Sequence, residues 1–219
     1  MSNLASPSAI LTSFGSDKCT EHSYGDFYDD IFRKRRIASV LEIGVEAGLS
    51  LQAWKHILGP DALVIGVDKD DEFAPLPAGL TSDEWIKATK LRHENPLMMR
   101  FGDSYAPYVR ARGLDVIRAA APDFSPVISR CRRENLKFDM VIDDGSHIEA
   151  DQVLGYHYLS EFVHDGGVYI IEDVQNGEIM DRFERTGWNC VDLRGNRGKW
   201  DDIIVWREVH DKSRELKRS

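Results

Sequence analysis

Two short segments of this 219-residue sequence carry acidic side chains at unusual density: Asp143-Asp144-Gly145-Ser146-His147 and Glu172-Asp173. Carboxylates crowded into one cleft raise one another's pKa or call for a cation. Oxygen donors favour a hard divalent ion, Mg2+ with Mn2+ or Ca2+ as alternatives, over zinc. Asp144, Glu172 and Asp173 are the expected ligands. His147 follows Asp144 by three positions, which on the first turn of a helix places both on one face. An imidazole titrating near neutrality beside a metal-bound hydroxyl suits a general base. The metal would lower the pKa of an acceptor hydroxyl and hold it in line for reaction. The competing reading has Asp144 and Ser146 capping the next helix and His147 merely solvated. For Asp144 alone capping is the better reading; for five residues at two strand ends, a site is.

A second group surrounds Glu42-Ile-Gly44-Val-Glu46-Ala-Gly48. Glycines at a strand-to-helix turn let backbone approach a ligand closely. The spacing is not the G-x-G-x-x-G of a dinucleotide site, and Glu42 is unfavourable to a pyrophosphate and favourable to a cation. Asp68 ends the next apolar run, where an acidic side chain in a nucleotide-binding α/β fold accepts bonds from ribose hydroxyls. Asp103, with Ser104 beside it, could reach an adenine amino group or cap a helix. Asp143, one residue before Asp144, belongs nearer this ligand than the metal. An adenosine-bearing, phosphate-free cation fits these positions, and S-adenosylmethionine is the common one. Plain turn and cap roles for Gly44, Gly48 and Asp68 are the alternative.

These residues need a sheet to bring them together. Ser39–Gly44, Ala62–Asp68, Leu97–Gly102, Phe138–Asp143 and Gly167–Glu172 are apolar at successive positions, as in parallel strands covered on both faces. Helical stretches at 50–58, 104–119, 126–135 and 148–163 separate most of them, which is the βαβ pattern. In the last, Val153, Leu154, Tyr156, His157, Leu159, Phe162 and Val163 suggest a broad apolar face. Trp188–Leu193 and Asp202–Trp206 flank a Gly/Asn-rich loop and read as a hairpin that closes the sheet antiparallel. The expected fold is α/β, Rossmann-like, with a mostly parallel seven-stranded sheet. Residues 1–36 form an N-terminal helical or lid segment, 37–209 the ligand-binding domain, and 210–219 a frayed tail. The insert Asp71–Glu94, with a short helix over 82–93, is long enough to cover a site.

Composition narrows the classes further. Lys and Arg number 28 against 37 Asp and Glu, a net charge of −9, which disfavours a nucleic-acid partner. No stretch approaches the roughly 20 apolar residues that span a bilayer. Met1–Ser8 lacks the marks of a secretory signal, so a cytoplasmic location is expected. Cys19, Cys131 and Cys190 are odd in number and widely spaced, which indicates neither a disulfide frame nor a zinc site.

The motifs resemble class I S-adenosylmethionine-dependent methyltransferases and, more narrowly, the macrocin O-methyltransferase-like group of antibiotic sugar methyltransferases. The narrower likeness rests on Phe14-Gly-Ser-Asp-Lys18 with His22 and Tyr24, Val40–Gly44, Ile142–His147 and Tyr169–Val174. It implies Mg2+ at Asp144, Glu172 and Asp173, His147 as base, a segment around Lys18, His22 and Tyr24 folded over the cofactor or acceptor pocket, and a homo-oligomer. Glu46-Ala47 stands where many members are richer in glycine, and the separate N-terminal domain of some members is not expected. The reaction implied is methyl transfer to a sugar hydroxyl of a secondary-metabolite glycoside. An amino group of an aminoglycoside-type sugar is the alternative acceptor; a non-catalytic cofactor-binding protein is the more distant alternative.

Overall fold

A computed structural model describes residues 5–46, 48–69 and 114–210. In chain order these form α1 (Pro7–Phe14), α2 (Asp17–Thr20), α3 (Gly25–Lys34), β1 (Ser39–Ile43), α4 (Leu49–Leu58), β2 (Leu63–Asp68) and β3 (Asp115–Arg118). There follow α5 (Ser125–Glu134), β4 (Phe138–Asp143), α6 (Glu149–Leu159), β5 (Val163–Ile171), α7 (Gly177–Arg185), β6 (Asn189–Asp192), α8 (Arg194–Arg197) and β7 (Ile203–Val209). The strands make one seven-stranded sheet in the order β3-β2-β1-β4-β5-β7-β6. β7 runs antiparallel to both neighbours, and the pairs among β1–β5 are parallel.

The sheet is buried on both faces, and strand alternation sorts its side chains between two cores. Leu41, Ile43, Val141, Tyr169 and Ile171 pack with Val127 of α5, Leu159 of α6 and Phe183 of α7. Val40, Met140, Ile142, Val168 and Ile170 pack on the opposite face with Leu11 of α1, Tyr28 of α3 and Trp54 of α4. The N-terminal helices thus pack on one sheet face, with Ser6 capping α1 by accepting from Ala9 N–H. No described helix is long and apolar enough to cross a membrane.

Register aligns the strand ends. Ile43 pairs with both Val67 and Asp143, and Asp143 pairs with Ile171. Gly44, Asp68, Asp144 and Glu172, the next residue of each strand, therefore follow in one row at the carboxyl edge, where open α/β sheets bind ligands.

Three expectations need correction. Residues 115–118, read as the end of a helix, form edge strand β3, where the β-branched pair Val116-Ile117 extends the parallel sheet beside β2. In α6 the buried residues are Gln152, Gly155 and Leu159, and Val153 and Tyr158 are exposed, so the broad apolar face is narrower and rotated. Asp144 and His147 precede α6 and are not part of its first turn. The strand expected at 97–102, the insert 71–94 with its helix, and 211–219 of the tail lie outside the described residues.

Candidate functional site

The carboxyl edge holds a cleft of about 650 Å3, counted to its open mouth, lined by Gly44, Asp68, Asp143, Gly145 and the small Ala119–Ala121 among others. Gly44 is required where it stands. Its φ is +84°, and a Cβ there would meet the Asp144 carbonyl oxygen at 2.0 Å. The close approach of the β1 and β4 ends is fixed by Asp144 N–H donating to Ile43 O (2.9 Å), while Gly44 N–H donates to Val67 O (2.9 Å) and ties the same end to β2. Gly48, at φ +73°, is the N-cap of α4. Asp68 Oδ2 accepts the N–H groups of Val45 (2.9 Å) and Glu46 (3.2 Å), which clamps the loop after β1 while Asp68 still lines the cleft. Asp143 is buried at the cleft floor, where Gly145 N–H (3.3 Å) and Tyr169 OH (3.5 Å) donate to it. Burial pushes its pKa up to about 7. Asp103 and Ser104 lie outside the described residues.

Glu42 is not at the cleft. Alternation along β1 turns it away from Ile43 and onto the face of the N-terminal helices. There it is fully buried, with Oε2 accepting from Trp54 Nε1 (3.1 Å) and Oε1 beside Lys18 Nζ (3.1 Å). Asp144 and Glu172 share this parity, and they meet the same ammonium. Lys18, only 1% exposed, donates to Asp144 Oδ2 at 2.6 Å and to Glu172 Oε2. Burial alone would lower the Lys18 pKa; Asp144, Glu172 and Glu42 outweigh it and hold the ammonium charged well above its ordinary value.

Lys18, His22 and Tyr24 stand behind the acids, on the side of the N-terminal helices. All three are buried, and none is among the cleft-lining residues. They hold one oxygen of Asp144 and one of Asp173 and leave the other toward His147. Tyr24 OH donates to Asp173 Oδ1, and Tyr28 OH to Glu172 Oε1 at 2.6 Å. His22 Nδ1 lies 3.3 Å from Asp173 Oδ1 and 3.2 Å from Asp202 Oδ1. Lys199 Nζ is 3.1 Å from His22 Nε2. An ammonium only donates, so Nε2 accepts and the ring proton sits on Nδ1, shared between the two aspartates. Tyr28, Asp202 and Lys199 were not singled out from the sequence; Tyr28, one helical turn after Tyr24, carried the clearest signal.

The free oxygens converge on His147. Its Nδ1 is 3.4 Å from Asp173 Oδ2 and its Nε2 is 3.6 Å from Asp144 Oδ1. One ligand atom from each of Asp144, His147 and Asp173 lies within 4.8 Å of the others. Glu172, expected among the metal ligands, stands one step behind them with both oxygens engaged by Lys18 and Tyr28. Burial first, then the Asp144 charge, pushes the Asp173 pKa up to about 7. Three carboxylates share one ammonium here, with Asp173 beside them, and a divalent cation fits the remaining charge and the hard oxygen donors. His147 and Asp173 also hold φ of +58° and +53°. Non-glycine residues in that region are costly and concentrate at functional sites. Ser146 Oγ accepts from Ile148 N–H (3.3 Å) and donates to Asp151 Oδ2 (2.8 Å), and the N-cap of α6 is Ile148, so Asp144 is not spent on capping.

No protein-family model matches the chain. It is 30% identical over 170 residues to 8-demethyl-8-alpha-L-rhamnosyl tetracenomycin-C 2'-O-methyltransferase of Streptomyces olivaceus, covering 74% of this chain and 35% of that protein. It is 28% identical over 162 residues to demethylmacrocin O-methyltransferase of Streptomyces fradiae, covering 70% and 32%. The chain thus spans about a third of the length of the curated relatives it matches. Among solved structures, MycE methyltransferase from the mycinamycin biosynthetic pathway, in complex with Mg and SAH, shares the fold. The TM-score is 0.59 at 21% identity, over 95% of this chain and 56% of that one. The MycE complex that also holds mycinamycin VI gives 0.53 at 26% identity, over 78% and 38%.

Proposed function

We propose, for a chain that belongs with the class I S-adenosylmethionine-dependent methyltransferases, that it methylates a sugar hydroxyl of a secondary-metabolite glycoside with the help of a divalent cation, Mg2+ by preference. The observation that carries this reading is His147, held between Asp144 and Asp173 and next in sequence to Gly145 and Ser146 of the cleft that Gly44, Asp68 and Asp143 also line. Similarity to O-methyltransferases named for sugar-bearing antibiotics supports the acceptor class. In this reading the cofactor occupies the cleft at Gly44, Asp68 and Asp143, and supplies an activated methyl on sulfur. Asp144 and Asp173 hold the cation, with Glu172 behind them. The bound cation would acidify and orient the acceptor hydroxyl.

The chain's own residues then do the following. His147 Nδ1 keeps its proton and directs it at Asp173 Oδ2, which fixes the tautomer and leaves Nε2 to accept the proton of the acceptor hydroxyl. Lys18, Tyr24 and Tyr28 keep the carboxylates from turning away. The acids and His147 together fix the attacking oxygen relative to the methyl group, which is the positioning that a displacement needs.

The test is turnover with labelled S-adenosylmethionine on a glycoside panel, with and without EDTA. Turnover lost in EDTA, restored by Mg2+, and lost in Asp144→Ala and Asp173→Ala is expected. EDTA-resistant turnover would remove the cation from the reading, and an inert wild type that binds S-adenosylhomocysteine would leave a cofactor-binding protein.

A further inference from the structure

Four large apolar side chains among the described residues stand well into solvent: Ile148, Val153, Tyr158 and Trp200. Two of them adjoin the site in sequence. Ile148 follows His147 directly, and Trp200, 64% exposed, sits in the loop between α8 and β7. This loop is fastened to the N-terminal segment on both sides of the indole. Before it, Arg197 donates to Thr20 O (2.5 Å) and Cys19 O (3.0 Å), and Lys199 Nζ reaches Glu21 Oε2 (3.1 Å) as well as His22. After it, Asp201 O accepts from Tyr24 OH (3.4 Å), while Asp202 Oδ1 faces His22 Nδ1 and accepts Ser23 N–H (3.1 Å). Tyr24 is itself hydrogen-bonded to Asp173, which His22 and His147 both approach within 3.4 Å.

A loop so pinned has little freedom to fold its tryptophan inward, and the indole stands exposed. A rigid exposed aromatic costs little entropy to use as a contact surface. Arg197, Lys199 and Asp202 turn polar groups toward the N-terminal segment, while the Trp200 indole between them is turned out to solvent. A glycoside has matching chemistry, with hydroxyls on its edges for the acids and His147 and an apolar face of ring C–H groups or aglycone carbon for an aromatic plane.

Resting on the sugar-methylation reading above, we propose that Trp200 is a specificity-determining residue whose indole stacks on the apolar face of the acceptor glycoside. Trp200→Ala and Trp200→Phe are compared with the wild type on methyl glycosides and on aryl glycosides of the same sugars. Readouts are KM, kcat, the affinity for S-adenosylhomocysteine by calorimetry, and native mass. Loss of one aromatic stack predicts about a tenfold rise in KM for Trp200→Ala. kcat, cofactor affinity and mass should stay near wild type, and Trp200→Phe should recover most of the loss. A rise with both glycoside series assigns the stack to the sugar ring, and a rise only with aryl glycosides assigns it to the aglycone. Unchanged KM in Trp200→Ala overturns the inference alone, as does a change confined to native mass, which would make the indole a contact between copies of the chain. A wild type that turns over no glycoside overturns the sugar reading and this inference with it.

Discussion

Gly44→Ala tests whether the cleft and the acid cluster are one built object. Two costs act at this position and can be separated. Holding an L side chain at φ +84° costs about 1–2 kcal/mol. The new Cβ would also lie 2.0 Å from the Asp144 carbonyl oxygen, a backbone atom that cannot rotate aside. A comfortable C···O contact is roughly 3.3 Å, so the β1 and β4 ends must part by about 1 Å. Overpacking of that kind costs about 1–3 kcal/mol. The sum is about 2–5 kcal/mol, a large share of the roughly 5–15 kcal/mol that holds a domain together. Gly198→Ala is the control: φ is +74°, but nothing lies within 4 Å of the added carbon, so about 1 kcal/mol of backbone strain is all it should cost. Urea unfolding measures both, and calorimetry with S-adenosylhomocysteine follows the cleft. The expected pattern is a large loss of stability and at least tenfold weaker binding in Gly44→Ala, with neither in Gly198→Ala. Equal stability of the two variants, or wild-type affinity in Gly44→Ala, would refute the close approach.

Other consequences are quicker to state. His147→Ala should abolish methyl transfer while S-adenosylhomocysteine binds within about twofold of wild type; retained turnover would remove it as base. Lys18→Met leaves Glu42 and Glu172 buried without their counter-charge, so urea unfolding should register a loss of about 3–5 kcal/mol; a loss under 1 kcal/mol would contradict the buried cluster. Asp143, pushed from 3.8 to about 7 by burial, keeps a proton in the folded chain that the unfolded chain has released. Its contribution is therefore full below pH 3.8 and lost as pH rises to about 7, the slope being negative wherever the folded state binds more protons. In EDTA, Asp143→Asn should flatten the fall in stability between pH 5 and 8, and an unchanged slope would place the titration elsewhere.

Much of this fold was legible because buried parallel strands read as unbroken apolar runs, as Met140–Ile142 and Val168–Ile171 do. Edge strand β3 was not, because only four residues pair and only Ile117 among them is buried, so no long run marks it. The acids at the strand ends were readable as a group, while their partners followed from a rule of alternation that was left unused. Positions 42, 144 and 172 share a parity and face the N-terminal helices; 43, 143 and 171 share the other. Counting by twos from the aligned strand ends would have turned Glu42 away from the cleft, on the opposite parity from Asp143, which was already legible as lying apart from Asp144. What no local pattern could supply is the reach of Lys18 across 126 residues to Asp144, or of His22 across 180 to Asp202. Those contacts exist only once the sheet has brought its ends to the N-terminal helices.

The most direct measurement uses S-adenosylmethionine carrying a 13C methyl group, the wild-type chain, a glycoside panel and NMR of the products. A new sugar O-methyl carbon that forms with Mg2+ and fails to form in EDTA is the predicted result. A methyl on nitrogen, one that forms equally in EDTA, or no transfer by a chain that binds the cofactor would contradict it.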